Sequence, residues 1–347
     1  MGPDEFSEFG DDDPTEVVAP FAPGAFFGER FRIEEPLGVG AQGTVFRATD
    51  LERGEDVALK VLVAQRHDEE LRQRFAREGE ILRGLPHPAI VRIRGFGHAA
   101  DGRIPWLAME LIEGETLGAR IRRKGRLDPE ELVPVVRIIA DALETAHLRG
   151  VVHRDLKPDH IFLVPTDPSC VVRIIDFGLS RAVTAKRLTK TGSVLGTPRY
   201  MAPELIASAR NAAPASDIYA LGVVVYEALT GQSPFAASDH GQLLGAILQG
   251  RRQPLGALRP DLDPAIGEVL DKAMAPAPAD RWTTPGEFAE AFAEAAGVRA
   301  SIPPRLSLYD VPAQGSAKRP GARGVWLALG LLVLSAIAAA TAYLWLG

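Results

Sequence analysis

Cysteine is almost absent from this 347-residue chain, where Cys170 is the only one. A single thiol cannot build a disulfide framework or a cysteine-based zinc site, and it fits a reducing compartment without proving one. Aromatic residues are sparse at 7%, and no basic run is interleaved with them as a nucleic-acid platform requires. Positive charge is missing altogether from residues 1–29, which carry eight acids. That arm accounts for the whole net charge of −6 and leaves the remainder close to neutral. A protein-wide basic field is excluded, and no nucleic-acid partner is expected. Apolar residues at 46% and charged residues at 24% are the proportions of a packed chain, and this length easily supplies a core.

The other extreme is the C-terminus, where residues 325–346 form 22 positions without a charge. As a helix this run is ~33 Å long, enough for a hydrocarbon core of ~30 Å. Trp326, Tyr343 and Trp345 lie near its ends, where amphipathic rings favour the interface. Lys318, Arg319 and Arg323 precede it, so the positive-inside rule places the preceding residues in the cytoplasm. The acidic first thirty residues lack the apolar core of a signal peptide. The expectation is a single-pass, tail-anchored membrane protein with its folded part in the cytoplasm and no external sensor domain. A buried core helix is the bland alternative. Ala336 and Ala340 have small-xxx-small spacing, which in an Ala-rich stretch leaves a homodimer open without arguing strongly for it.

Residues 1–28 read as a disordered acidic arm and 298–324, rich in Pro and small residues, as a juxtamembrane linker. Residues 29–297 are the folded part, without internal repeats. Its first third alternates apolar and polar residues in FRIEEPL, TVFRATD, DVALKVLV, VRIRGFG and PWLAMEL, the pattern of a small antiparallel sheet. Helical spacing interrupts it over Asp68–Arg83 and dominates from Asp128 onward, in Glu131–Arg149, Ser216–Thr230, Gln242–Gln249, Ala265–Met274 and Pro285–Ala296. The expected fold class is therefore α+β, with a small β-rich lobe, a larger helical lobe and a cleft between them.

Gly38-Val39-Gly40-Ala41-Gln42-Gly43-Thr44-Val45 has the form G-x-G-x-x-G-x-V. Glycines let backbone amides approach phosphate without Cβ obstruction, but the motif alone reads equally well as a Gly-rich hairpin turn. A strand-like TVFRATD follows it rather than a helix, which disfavours a dinucleotide fold. Next come Val57-Ala58-Leu59-Lys60 and, on the following helix, Glu78 in RFAREGEIL. A lysine–glutamate ion pair there would direct the ammonium at α/β-phosphates; an ordinary snorkelling lysine and a solvated helix face are the plainer reading. Further on stand His153-Arg154-Asp155-Leu156-Lys157-Pro158, Asp176-Phe177-Gly178 and Ala202-Pro203-Glu204.

In order and spacing, these five motifs resemble the eukaryotic-type serine/threonine protein kinase family, in particular its bacterial membrane-anchored members, over approximately residues 31–295. The resemblance implies a bilobal kinase fold, ATP and Mg²⁺ as cofactors, and protein substrates. It implies that Lys60 binds α/β-phosphate oxygens and pairs with Glu78, and that Asp155 accepts the substrate hydroxyl proton. Lys157 would contact the γ-phosphate and Asp176 would ligate magnesium. Leu37, Gly38, Gly40 and Gly43 would cover the nucleotide, with Val45, Ala58 and Phe162 against the adenine ring. Met109 would be the gatekeeper, and Glu110–Ile112 would offer backbone hydrogen bonds to adenine. Glu204 and Arg281 would form a structural ion pair.

One position departs from the family pattern. Where the family has HRDLKPxN, this chain reads HRDLKPDH, with His160 in place of the metal-binding Asn. Imidazole nitrogen is a poorer ligand for Mg²⁺ than amide oxygen and a better one for Mn²⁺ or Zn²⁺. The expectation is weakened activity or changed metal preference, with Asp155 less well fixed. The rival is a nucleotide-binding pseudokinase acting as a membrane scaffold. A small-molecule phosphotransferase of kinase fold is a weaker rival, since the resemblance includes an intact segment from the Asp176 motif to the Glu204 motif, which in protein kinases shapes a peptide platform. Within it, Thr189 and Thr191 stand where relatives autophosphorylate, and a phosphate there would meet Arg154. His67, His98, His147 and His240, the pair Arg251-Arg252 and the run Arg120–Arg126 are expected at the surface or on solvated faces, and Cys170 is expected to be a packed thiol.

Overall fold

The computed structural model describes residues 21–40, 43–62, 69–99, 104–164, 172–177 and 198–298. Most of the expected strands and helices are present, with ends within a few residues of the expected bounds. β1 (Phe26–Phe27), β2 (Phe31–Gly40), β3 (Gly43–Asp50), β4 (Glu55–Leu62), β5 (Ile93–Ala99) and β6 (Ile104–Glu110) form one antiparallel sheet in the order β1-β2-β3-β4-β6-β5, with helix α1 (Glu69–Arg83) between β4 and β5. Period-two patterning splits this sheet into two faces. Phe31, Ile33, Phe46, Ala48, Val57, Leu59 and Val61 bury one face as the upper core. Register puts Val45 opposite Lys60 and Ala58 opposite Met109, so these four share the other face.

The sheet reaches back into the stretch expected to be a disordered arm. Phe26 and Phe27 pair with Arg32 and Phe31, and Phe27 is only 3% exposed. Phe21 packs edge-on against Phe27 and Phe46. The acidic, Pro- and Gly-rich composition hides this strand, which is held by buried Phe27 with partly buried Phe21 packed on it, while Phe26 stays exposed.

The lower lobe is helical: α2 (Leu117–Lys124), α3 (Pro129–His147), α4 (Pro203–Ala207), α5 (Pro214–Thr230), α6 (His240–Leu248), α7 (Leu255–Leu258), α8 (Pro264–Ala273) and α9 (Pro285–Ala295). α5 is apolar on nearly every side, from Ile218 to Leu229, and is buried accordingly at the centre of the lobe. A second small sheet, β7 (Glu115–Thr116), β8 (Ile161–Leu163) and β9 (Val172–Ile174), lies at the top of this lobe.

The basic run is not all solvated. Arg120 is 1% exposed, held by Glu115 Oε2 and Glu131 Oε1 at 3.0 Å each. Its place on the inner face of the unanticipated helix α2, rather than its charge, decides its burial. Arg252 is likewise drawn in, donating to Asp271 Oδ1 at 2.6 Å. Among the described residues no helix is long and apolar enough to cross a membrane; the predicted span, the linker, Cys170, His67, Thr189 and Thr191 all lie outside them.

Candidate active site

The glycine-rich stretch is the turn between β2 and β3. Gly38 pairs with Val45 and Gly40 with Gly43. Gly43 has φ +148°, and an added Cβ would collide with the Val61 carbonyl oxygen, so only glycine fits there. Ala41 and Gln42 lie outside the described residues. Leu37, on the strand before the turn, is half exposed.

Below this hairpin, β4 presents Ala58 and Lys60, and β6 presents Met109. After β6 the chain crosses to the lower lobe through Glu110–Glu113. A cavity of about 380 Å³ opens beside that crossing, lined by Glu110, Leu111, Ile112 and Glu113, by Arg47 and Asp56 from the sheet, and by Val164 and Arg173 from below. The Glu110 carboxylate accepts the Arg92 backbone N–H at 3.1 Å and faces Arg173 Nε at 3.6 Å, which ties the crossing to β9. Phe162, in the middle of β8, is half-buried opposite Arg173.

Two loops carry the ionisable groups. The first, Val151–Lys157, follows α3, and the second, Ile175–Phe177, follows β9. Each contains a non-glycine residue in the left-handed region, Arg154 at φ 69° and Asp176 at φ 62°, the only two among the described residues. Such a conformation costs of order 1–3 kcal/mol and persists only where the surroundings enforce it. Here the enforcement is visible. Asp217, fully buried in the first turn of α5, accepts the backbone N–H groups of His153 at 2.8 Å and Arg154 at 2.9 Å. It also bonds His147 Nε2 at 2.7 Å. The His153 ring joins the two loops: Nδ1 accepts from the Asp155 N–H at 3.4 Å, which makes Nε2 the donor to the Ile175 carbonyl at 3.0 Å. Burial pushes His153 below the usual histidine range and keeps it neutral. Phe177 seals the junction, its ring centroid 4.5 Å from that of His153.

These loops gather the predicted residues into one cluster. Lys60 Nζ, only 5% exposed, lies 2.8 Å from Asp176 Oδ2. Lys157 Nζ lies 3.2 Å from Asp155 Oδ2. His160 stands between the acids, with Nδ1 3.8 Å from Asp155 Oδ2 and Nε2 3.6 Å from Asp176 Oδ2. Burial raises the Asp176 carboxyl, but the Lys60 charge and hydrogen bond and the neighbouring His160 outweigh it and hold the group at about 2. Burial lowers His160 to about 4 against the pull of both acids. Glu78 falls on α1, and its side chain lies outside the described residues, as do Gly178 and residues 179–197. Glu204 and Arg281 form a two-pronged pair at 2.8 Å.

A divalent cation fits this cluster. Asp176 Oδ1 and His160 Nδ1 are buried without a hydrogen-bond partner. Among the described residues no three His, Cys, Asp or Glu side chains converge on one metal position. A bound ion would thus need phosphate oxygens or water to complete its shell, the usual situation of Mg²⁺.

Sequence reasoning gave Asp217 no role and expected His147 at the surface, where the structure largely buries its side chain against Asp217. Asp217 was visible as the first residue of DIYALG, but nothing in one chain says that its carboxylate reaches back 63 residues to a loop. His147 ends a helix and looks like any surface histidine until α5 is docked beside it.

The comparisons agree with this geometry. Residues 31–293 match the protein kinase domain family, and the chain belongs to that family. Serine/threonine-protein kinase PknA of Mycobacterium tuberculosis is 38% identical over 292 residues, 83% of this chain and 65% of PknA. Serine/threonine-protein kinase PknH of the same organism is 36% identical over 273 residues, 78% of this chain and 42% of PknH. The chain thus spans less than two thirds of the length of these relatives. Among solved structures, the M. tuberculosis PknI kinase domain superposes with a TM-score of 0.63 at 31% identity, covering 80% of this chain and 100% of that one. Rad53 1–466 in complex with AMP-PNP gives 0.61 at 30% identity, covering 75% of this chain and 64% of Rad53. The two-lobed arrangement is the protein kinase fold.

Proposed function

We propose that this chain is a serine/threonine protein kinase that moves the γ-phosphoryl group of ATP to a Ser or Thr hydroxyl of protein substrates, itself included. The observation that carries the reading is the single cluster of Asp155, Lys157, Lys60 and Asp176 at the lobe junction. The Asp155 carboxylate takes the hydroxyl proton as the nucleophile attacks. Lys157, 3.2 Å from it, offsets charge on the transferring group, and Lys60 binds phosphate oxygens from the upper lobe. Asp176, with His160, would hold the divalent ion, which when bound neutralises phosphate charge. Val45, Ala58, Met109 and Phe162 supply apolar walls for the base, and Glu110–Ile112 supply backbone polar groups. The 31%-identical PknI kinase domain and the serine/threonine kinase relatives support the substrate class.

Two further parts of the reading rest on sequence. Residues 325–346 anchor the chain in a membrane as a single pass, with the kinase domain in the cytoplasm. Thr189 and Thr191 receive phosphate in autophosphorylation. The test is incubation of the full chain with γ-labelled ATP in Mg²⁺ and separately in Mn²⁺, beside Asp155→Asn and Lys60→Ala. Label that requires both residues and maps to Thr189 or Thr191 is expected. Nucleotide binding without label in either metal would replace this reading with the scaffold.

A further inference from the structure

His160 is the one side chain in the cluster whose two ring nitrogens face two different acids. Nδ1 lies 3.8 Å from Asp155 Oδ2, and Nε2 lies 3.6 Å from Asp176 Oδ2. The residue is 8% exposed and fixed from both sides along the backbone. Its N–H donates to the Lys157 carbonyl at 2.9 Å, and its carbonyl accepts from Ile175 at 3.0 Å. These bonds fix the backbone from which the ring projects between the two acids. Nδ1 is sealed and without a partner, and so is Asp176 Oδ1 on the other side of the ring.

A neutral imidazole carries one N–H and one lone pair on different ring nitrogens. With a lone pair on Nδ1, two acceptors would face each other, and the sealed nitrogen would stay unsatisfied. With the proton on Nδ1, Asp155 Oδ2 becomes its acceptor after a closure of under one ångström, within the tightening that active-site hydrogen bonds undergo on loading. The lone pair then falls on Nε2, beside the carboxylate that still has a free buried oxygen. Two metal–ligand bonds of about 2.1 Å reach across at most about 4.2 Å, so one ion spans the 3.6 Å between Nε2 and Asp176 Oδ2.

We propose that His160 serves two sides at once, ligating the divalent ion through Nε2 together with Asp176 while its Nδ1–H orients the Asp155 carboxylate. His160 is then a metal ligand and a positioning residue for the base, rather than a defect in the site. Because nitrogen replaces one hard oxygen donor, the site favours a transition-metal dication such as Mn²⁺ or Co²⁺ over Mg²⁺. The assignment rests on the reading of the cleft as a metal–ATP site, yet its test does not use phosphoryl transfer.

The experiment loads the full chain with Mn²⁺ and a non-hydrolysable ATP analogue and records electron-spin-echo modulation from a directly bound imidazole nitrogen. The modulation is expected in the native chain and in Asp155→Asn, and lost in His160→Asn, with the Mn²⁺-over-Mg²⁺ affinity ratio falling severalfold in the same variant. Nitrogen NMR of a chain labelled with ¹⁵N-histidine, loaded with Mg²⁺, is expected to show His160 protonated at Nδ1. Bound Mn²⁺ without nitrogen modulation in the native chain, modulation surviving in His160→Asn, or a proton on Nε2 would each overturn the assignment. The native-chain measurements decide it even if the variant fails to fold. Phosphoryl transfer without modulation removes this assignment alone, whereas modulation without transfer removes the kinase reading and leaves this one standing.

Discussion

Arg281→Met is the substitution that most directly tests how the lower lobe holds the end of the segment leading from Asp176. The Arg281 side chain is 0% exposed. Its Nη1 and Nη2 each reach a Glu204 oxygen at 2.8 Å, and the same guanidinium donates to the carbonyls of Ala275, Ala215 and Pro276 at 2.8, 2.9 and 3.0 Å. It also lies 4.9 Å over the Tyr219 ring. Methionine fills the stem and removes the charge. Glu204 then keeps the Ser216 hydroxyl at 2.7 Å and its own backbone N–H but no cation, in a site where its side chain is 12% exposed. Stranding one partner of a buried pair costs about 3–5 kcal/mol, so the unfolding free energy from urea titration should fall by that much, with the midpoint falling in proportion, read locally through Trp282 fluorescence.

The pH dependence gives the sign. Burial raises the Glu204 carboxyl, but the Arg281 and Ser216 hydrogen bonds and the Arg281 charge hold it below its usual 4.5. A carboxylate held low in the folded chain contributes stability that is complete above that usual value and is lost as pH falls through the folded one. Without Arg281, burial dominates and Glu204 protonates more readily. The gap between native and variant is therefore full at pH 7, begins to narrow above pH 4.5 as the variant's Glu204 takes up its proton, and finishes closing as pH falls through the lowered value of the native chain. Glu204→Gln added to Arg281→Met should recover part of the loss by removing the stranded charge. A loss under about 1 kcal/mol, the level of a surface pair, or a gap that ignores pH, would refute the argument.

Three other outcomes are expected. Asp217→Ala leaves two backbone N–H groups and His147 without their acceptor, at about 1–3 kcal/mol for each group; kcat should fall with little change in nucleotide affinity, and an unchanged kcat would count against the role given to Asp217. Gly43→Ala forces Cβ against the Val61 carbonyl at φ +148°, a strain of roughly 1–3 kcal/mol; calorimetry should show about tenfold weaker binding of a non-hydrolysable ATP analogue, and an unaltered Kd would contradict it. Arg120→Met should lower the melting temperature well beyond Arg122→Ala, because Arg120 is 1% exposed and Arg122 is 68% exposed; equal shifts would show that burial is not what separates them.

Much of the fold was legible because two periods do not overlap. Alternation in TVFRATD and DVALK pointed to β3 and β4, whereas the register that puts Val45 opposite Lys60, and so on the face of Ala58, came from the structure. Helix α2 was missed because LGARIRRK has only two large apolar residues, and its inner face is completed by an arginine. The ordered stretch Phe21–Phe27 was missed for the reverse reason, one buried ring, Phe27, with Phe21 packed on it in a Pro-rich stretch behind an acidic arm. The chemistry-bearing residues Lys60, Asp155, Lys157 and Asp176 are short-range signals that any pass along the chain finds. Their mutual placement is not, because it depends on Asp217, His147 and the Ile175 carbonyl, whose partners are distant in sequence or are backbone atoms.

The cluster also constrains how a phosphate enters. Lys60 comes from the upper sheet and Asp176 from the lower lobe, so their 2.8 Å contact is a strap across the cleft. Both groups are largely buried, and each already satisfies a charge of the other. A triphosphate arriving beside them does not have to strip water from a buried ammonium, which is where the large cost of such sites lies. It has to take over part of an existing pairing, and a divalent ion, if held by Asp176 and His160, would supply the positive charge that Lys60 gives up. Nucleotide and metal are then coupled through this one ion pair: each makes the other's exchange cheaper. The strained conformations at Arg154 and Asp176 follow from the same demand, since both carboxylates must be held against relaxation while their cationic partners change.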